Sequence, residues 1–323
     1  MKTIGSLLQD PTYTEKFVLQ KLLCLFLGCT REELRTDVDR QVDDEMVQKI
    51  MSAYDDYVVK KKPLEYVLGH VDFFGNEFIV NESTLIPRPE TEYMITAVTE
   101  FVSWRLTPPL AGVESWEWRR NILLDIWTGC GVLGISVLLQ NPWFFAEAIF
   151  TDYYANALEV AKKNYEVYKW KIEHKNLKVD FVEADLLEFL VGDAATNPPG
   201  FDLAQPSPLV REGIDGNIVL VANLPYIPEE AFEQNSWDNV KKWEPKPAFV
   251  WGDDGLIYYR KMFEQIFRLI EDGKLKMENL LTMFLEMMTW QVDILRQEFG
   301  DRLEFEEVKT FHFNIRIVKA WLK

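Results

Sequence analysis

Cysteine is scarce in this chain, with three in 323 residues. Cys24, Cys29 and Cys130 make an odd count and contain no Cys-x-x-Cys spacing, which excludes a disulfide framework and a zinc ribbon. Histidine is as scarce: His70, His174 and His312 lie far apart, so no His-based metal site is expected, and metal ligands are assigned to none of the residues. Basic residues are outnumbered, 35 Lys and Arg against 52 Asp and Glu, for a net charge of -17. A protein that grips a duplex through its phosphates needs clustered cations, so a direct nucleic-acid substrate is not expected. The run Lys169, Lys171, Lys175 and Lys178 reads more simply as a solvated helix face than as a phosphate patch. Long apolar runs are also missing. The start, MKTIGSLLQDPTYTEK, has no signal-like core, and no 18-residue apolar stretch follows, so the reading is a cytoplasmic protein with no membrane partner. Glycine is low as well. The 16 present fall short of the usual share of about 7%, whereas tryptophan, at 11, is abundant.

What the chain does have is core material, with 48% hydrophobic residues and enough length for two domains. Residues 1–62 read as helical. Glu15 to Leu27 carries apolar residues at helical spacing and stops at Gly28. Thr30-Arg31-Glu32-Glu33 is a capping signature, and Asp43 to Lys60 places Met46, Ile50, Tyr54 and Val58 four apart. Such a domain either presents a surface to a partner or caps the larger one. Two strand-like runs then flank Gly75-Asn76, a hairpin signal. Leu85-Ile86-Pro87-Arg88-Pro89 is a strap held extended by its prolines, and Glu90-Thr91-Glu92 opens a helix.

From residue 120 strands and helices alternate. Strands are expected at 122–126, 148–152, 179–182, 217–222 and 281–285, with two closing strands at 303–310 and 314–321. That order predicts an α/β, mainly parallel, doubly wound sheet with a small N-terminal helical domain, and the strand-end motifs below make it Rossmann-like of the S-adenosylmethionine (SAM)-dependent methyltransferase type. The expected boundaries are 1–70 for the helical domain, 71–92 for hairpin and strap, and 93–323 for the SAM domain. Residues 192–216, rich in Pro, Gly and Ala, read as a surface insertion.

Three strand ends carry a cofactor pattern. Asp125-Ile126-Trp127-Thr128-Gly129-Cys130-Gly131 fits D-x-G-x-G-x-G with one misfit, Trp127. Glycines there let the backbone approach a ligand, and the next helix supplies free N–H groups. Asp152 ends the second strand, where a carboxylate accepts from ribose hydroxyls. Asp185 follows the third and is placed for an adenine amino group. Each piece alone is common; the ordered set points to SAM rather than NAD.

The fourth strand ends in Asn223-Leu224-Pro225-Tyr226. An Asn-x-Pro-aromatic quartet suits methylation of a planar nitrogen, whose lone pair is delocalised and weakly nucleophilic. The Asn223 side-chain oxygen and the Leu224 carbonyl can each accept one N–H, fixing the nitrogen in line with a methyl donor. Pro225 stiffens the turn and Tyr226 can stack on the planar group. The plainer reading is an ordinary strand-to-loop turn. A look-alike, Asn197-Pro198-Pro199-Gly200, has no aromatic and no preceding strand, and reads as a loop.

Pro63 to Gly69, Phe73-Phe74-Gly75, Leu85 to Glu92, Asn223 to Ile227, Glu244 to Ala248 and the closing Asn314 to Val318 together resemble the bacterial peptide-chain release factor glutamine N5-methyltransferases. The resemblance runs from about residue 15 to the end. It implies SAM as cofactor, a release factor as protein partner docked partly by the helical domain, and a turn at Asn223 that holds the glutamine of a Gly-Gly-Gln loop. A monomer is expected. Leu224 stands where the family has proline, a change the backbone-carbonyl role tolerates. Trp127 and Trp251 stand where it has glycine, and Trp127 is expected to obstruct the cofactor loop. Two other readings stay open: a SAM-fold protein that binds a release factor without catalysis, and an amino-methyltransferase of nucleic acid, against which the acidity and the lack of a target-recognition domain count. Some lineages read UGA as glycine and others as tryptophan, so misread glycines are one account of Trp127 and Trp251. Genuine substitution is the other.

Overall fold

The computed structural model describes residues 2–106, 120–172, 177–191, 214, 216–276, 281–308 and 314–323. Most of the expected insertion, the look-alike turn at 197–200, His174, Lys175 and His312 lie outside the described residues.

The N-terminal helices are α1 (Ile4–Gln9), α2 (Lys16–Leu27), α3 (Arg31–Thr36), α4 (Asp44–Val58) and α5 (Leu64–Leu68), with a two-residue strand pair, β1 (Lys2–Thr3) and β2 (Gln41–Val42). Their ends follow the signals in the sequence. Gly28 closes α2 in the left-handed conformation, Thr30 and Glu33 form a reciprocal capping box, and Asp43 caps α4 through the Met46 N–H. Val18, Leu19, Leu22 and Leu23 of α2 meet Val47, Ile50 and Tyr54 of α4 in a core of their own.

The hairpin is β3 (His70–Phe73) and β4 (Asn76–Ile79). Its turn sits one residue earlier than expected, on Phe74 and Gly75, both left-handed at φ 47 and 74. Paired left-handed residues match the twist of the strands, and the Asn76 side-chain amide donates back to the Phe74 carbonyl. The strap leads into α6 (Glu92–Leu106).

The large sheet contains β5 (Asn121–Ile126), β6 (Glu147–Asp152), β7 (Lys178–Glu183), β8 (Asn217–Ala222), β9 (Leu281–Met288), β10 (Leu303–Val308) and β11 (Ile315–Leu322). Their order is β10-β11-β9-β8-β5-β6-β7, with the β5 to β9 pairs parallel and the β11 pairs antiparallel. Among the described residues its helices are α7 (Val132–Gln140), α8 (Ala155–Ile172), α9 (Glu188–Val191), α10 (Glu229–Asn235), α11 (Asp238–Trp243), α12 (Ile257–Glu271) and α13 (Thr289–Phe299). Strand alternation divides the core between two faces. Ile122, Leu124 and Ile126 pack with α9, α12 and α13, while Leu123, Val219 and Val221 pack with α6, α7 and α8. Burial on both faces explains why these strands read as continuous apolar runs.

This topology positions the site. The chain runs outward from β5 through β6 to β7, then returns to β8 on the other side of β5. The carboxyl ends of β5 and β8 therefore border a crevice at a topological switch point, where ligands of open α/β sheets bind. Among the described residues no helix is long and apolar enough to cross a membrane, and no cluster of metal-ligating side chains occurs.

Candidate active site

A cleft of about 740 Å³ opens at that switch point. Trp127, Gly129 and Cys130 from the loop after β5, Asp152 from the end of β6, and Asn223 and Pro225 from the turn after β8 line it. Strap residues Leu85, Pro87 and Thr91 and the Pro245 to Ala248 segment close the opposite wall.

Asp125 lies beneath the loop. One carboxylate oxygen accepts from the Thr128 hydroxyl at 2.6 Å and the Gly134 N–H at 2.9 Å, tying the loop to the first turn of α7. A Cβ on Gly134 would stand 2.5 Å from the Phe150 ring, so only glycine lets α7 approach this closely. Asp152 accepts from the Gly129 N–H and the Tyr154 N–H, both at 2.9 Å. The Tyr153 N–H bonds to it as well, and the side chain lines the cleft.

Burial raises both carboxyls, Asp125 to about 7 and Asp152 to about 6, against the hydrogen bonds that favour their charged forms. A carboxyl raised on folding adds stability below its ordinary pKa and loses it as pH rises through the folded value. Asp125→Asn imitates the protonated form. It is expected to gain thermal stability relative to the wild type as pH rises from about 4 to about 7, where the shifted group titrates. Melting curves across that range check this; profiles that stay parallel exclude it.

The turn after β8 is held from four sides. The Asn223 side-chain N–H donates to the Thr91 hydroxyl at 3.2 Å, which leaves its carbonyl oxygen as the acceptor. The Tyr226 hydroxyl donates to Glu286 at 2.9 Å, and Gln291 donates to the Tyr226 carbonyl at 2.8 Å. The Tyr259 hydroxyl donates to the Glu286 carbonyl and lies 3.4 Å from the Leu224 carbonyl. Glu286 is buried at 1% exposure and its carboxyl is pushed up, chiefly by burial, while Thr91, Tyr226 and Asn223 oppose the shift by hydrogen bonding. The strap is pinned by Glu244, which is buried. Its carboxylate takes Arg88 at 2.6 Å and the Ile86 N–H at 3.2 Å. Glu92 accepts the Phe74 N–H at 2.7 Å and so ties strap to hairpin.

Of the residues expected at the site, Trp127, Gly129, Asp152, Asn223 and Pro225 meet at the cleft. Asp125 and Gly131 stand behind it, as anchor and as the left-handed residue that starts α7. Leu224 is buried, and Tyr226 is turned toward Glu286, away from a stacking position on the wall. Asp185 is not on the wall either; Lys261 of α12 holds it at 2.6 Å, and its other oxygen is buried without a partner. The Trp127 ring packs on Tyr258, centroids 4.3 Å apart, and Tyr258 feels the Asp185 charge. Thr91, Glu244, Glu286 and Gln291 were not singled out from the sequence. A lone acid inside the apolar run of β9 is the signal that points to Glu286.

The seven-stranded order, the glycine loop after β5, the acid ending β6 and the Asn-x-Pro-Tyr turn after β8 define a Rossmann-like SAM-dependent methyltransferase. No family model matches the chain. A release factor glutamine methyltransferase of Bacillus cereus is 30% identical over 245 residues, 76% of this chain and 72% of that protein. Its counterpart in Chlorobaculum tepidum is 30% identical over 271 residues, 80% of each. The chain belongs to the release factor glutamine methyltransferase family. Among solved structures, the N-terminal domain of human METTL16 covers 97% of this chain at 14% identity and a TM-score of 0.47, a likeness too weak to bear on function.

Proposed function

We propose that this protein methylates the side-chain amide nitrogen of the glutamine in the Gly-Gly-Gln loop of a peptide-chain release factor. The observation that carries the reading is the Asn223 amide, fixed by Thr91 and facing the cleft that Gly129 and Asp152 also line. Bound SAM would supply a methyl group on a sulfonium, an electrophile for nitrogen attack. Asp152 would hold the ribose hydroxyls, and Gly129 would let the backbone approach. A carboxylate on the cleft wall beside a glycine loop fits such a ligand.

The Asn223 oxygen accepts one N–H of the substrate amide and the Leu224 carbonyl the other. Bound SAM would supply the methyl carbon to that nitrogen, its sulfur leaving with the carbon–sulfur electron pair. Positive charge grows on nitrogen, which the two acceptors stabilise until a proton leaves. The Asn223 carbonyl is aimed in advance because Thr91 occupies its N–H, so little reorganisation is needed. The site acts in the cytoplasm on a protein, as a monomer, with no nucleic-acid substrate. Incubation with methyl-labelled SAM and a purified release factor tests this. Label on the Gly-Gly-Gln glutamine is expected; no label from a preparation that binds SAM excludes the reading.

The helical domain serves the protein partner. Its core is separate, and it touches the larger domain where the Trp243 indole N–H donates to the Lys60 carbonyl at 3.1 Å. Removal of residues 1–60 is expected to leave SAM binding intact and to cut methylation of a whole release factor at least tenfold more than that of a short Gly-Gly-Gln peptide, about 1.4 kcal/mol of docking energy. Equal losses on both substrates would make the domain a structural cap.

A further inference from the structure

Three alternate residues of the loop after β5 are left-handed: position 127 at φ 56, Gly129 at φ 57 and Gly131 at φ 82. Two of the three are glycine and the third is tryptophan. The left-handed region crowds Cβ against the following carbonyl, and a bulky side chain there is a true outlier. Asn and Asp enter it by bonding locally to the backbone; an indole has no such means. Nor does the site reward the ring's one polar atom, because the Trp127 indole N–H is buried without a hydrogen-bond partner. The ring lines the cleft between Gly129 and the Tyr258 ring.

The same conflict recurs after α7. Trp143 has φ 73, and 73% of its surface faces solvent. It stands two residues past the Asn141 cap of α7, and glycine is the residue that takes this conformation at no steric cost. Among the described residues five non-glycine positions have positive φ, Lys61, Phe74, Trp127, Trp143 and Leu186; Phe74 is set by its hairpin turn, and two of the five are tryptophan, although the whole chain of 323 holds only 11. Trp251 behaves differently. It is not among the left-handed residues, and its indole N–H donates to the Pro247 carbonyl at 3.1 Å.

We propose that positions 127 and 143 are glycine in the protein as its own cell makes it. Their codons are UGA, which that cell reads as glycine and which yields tryptophan only under a code that assigns UGA to tryptophan. Trp251 is not included, because its backbone does not ask for glycine. The proposal rests on backbone geometry and stands or falls apart from methyl transfer to a release factor.

Three measurements test it. The gene is expected to carry UGA at both positions; UGG at either overturns the proposal. Peptide mass spectrometry of the protein isolated from its native cell is expected to show glycine at 127 and 143, and tryptophan at either overturns it too. In the tryptophan-bearing chain, Trp127→Gly is expected to tighten SAM binding at least tenfold by calorimetry, with an unchanged or higher melting temperature. A lower melting temperature with unchanged affinity would show that the indole packs usefully outside the ligand path, and would remove the physical basis. Neither codon, mass nor binding reads methyl transfer, so failure of the substrate assignment leaves all three results intact.

Discussion

Asn223→Ala is expected to lower methyl transfer to a release factor by roughly 10²–10³-fold while SAM affinity stays within about twofold, the loss typical of one preorganised acceptor or donor at a charge-developing centre. The asymmetry comes from where the side chain points. Its N–H is taken by the Thr91 hydroxyl, so the amide carbonyl is the group left for substrate. That contact strengthens as charge builds on the attacked nitrogen, so its loss falls on turnover more than on binding. Single-turnover kinetics with labelled SAM, beside calorimetry of SAM alone, separate the two effects. Near-wild-type turnover would sink the role given to Asn223. A parallel collapse of SAM affinity would mean that the turn is a cofactor wall. Asn223→Asp is a useful companion, since it keeps an acceptor but loses the donor that fixes it to Thr91.

The cofactor end of this site was legible before the turn was. A strand, a glycine loop and an acid at the next strand end are local patterns, and each depends on residues close in sequence. Asp152 and Gly129 sit where that pattern puts them, joined by a 2.9 Å hydrogen bond. What could not be read is whatever depends on distant partners. Asp185 meets Lys261 across the fold, and nothing local in either segment signals the pairing. Tyr226 reads as a stacking aromatic, yet its hydroxyl turns to Glu286 because a buried phenol needs a partner. The prolines of the strap explain its extended course. Its polar residues carry the rest: Thr91 aims Asn223, and Arg88 satisfies buried Glu244. Helix α12 was open to periodicity, with Tyr259, Met262, Phe263 and Ile266 on one face, but lay between stronger strand signals. The left-handed φ at position 127 is a tertiary fact, although the misfit in the glycine pattern already marked the place.

Asp152→Ala is expected to weaken SAM binding by about 100-fold, near 2.7 kcal/mol, in line with loss of a charge-assisted bond pair to a ribose diol. The carboxylate also accepts the Gly129 and Tyr154 N–H groups, so its removal loosens the loop as well as the ligand contact. Asp152→Asn keeps one acceptor oxygen but turns an amide N–H toward the backbone N–H that the other oxygen accepts. It should lose most of the affinity, and melting curves beside calorimetry divide loop loosening from lost ligand contact. The wild-type pH dependence gives an independent check with a fixed sign. Burial raises Asp152 to about 6, so the ionised acceptor dominates above that pH and the protonated acid below it. Ribose hydroxyls donate, which favours the ionised form. SAM affinity is therefore expected to hold from pH 8 to about 6.5 and to fall by up to tenfold per pH unit below about 6. In Asp152→Asn that fall should vanish. Calorimetry at four or five pH values decides the matter: a wild-type affinity flat down to pH 5, or one that rises as Asp152 protonates, would remove Asp152 from the ribose contact.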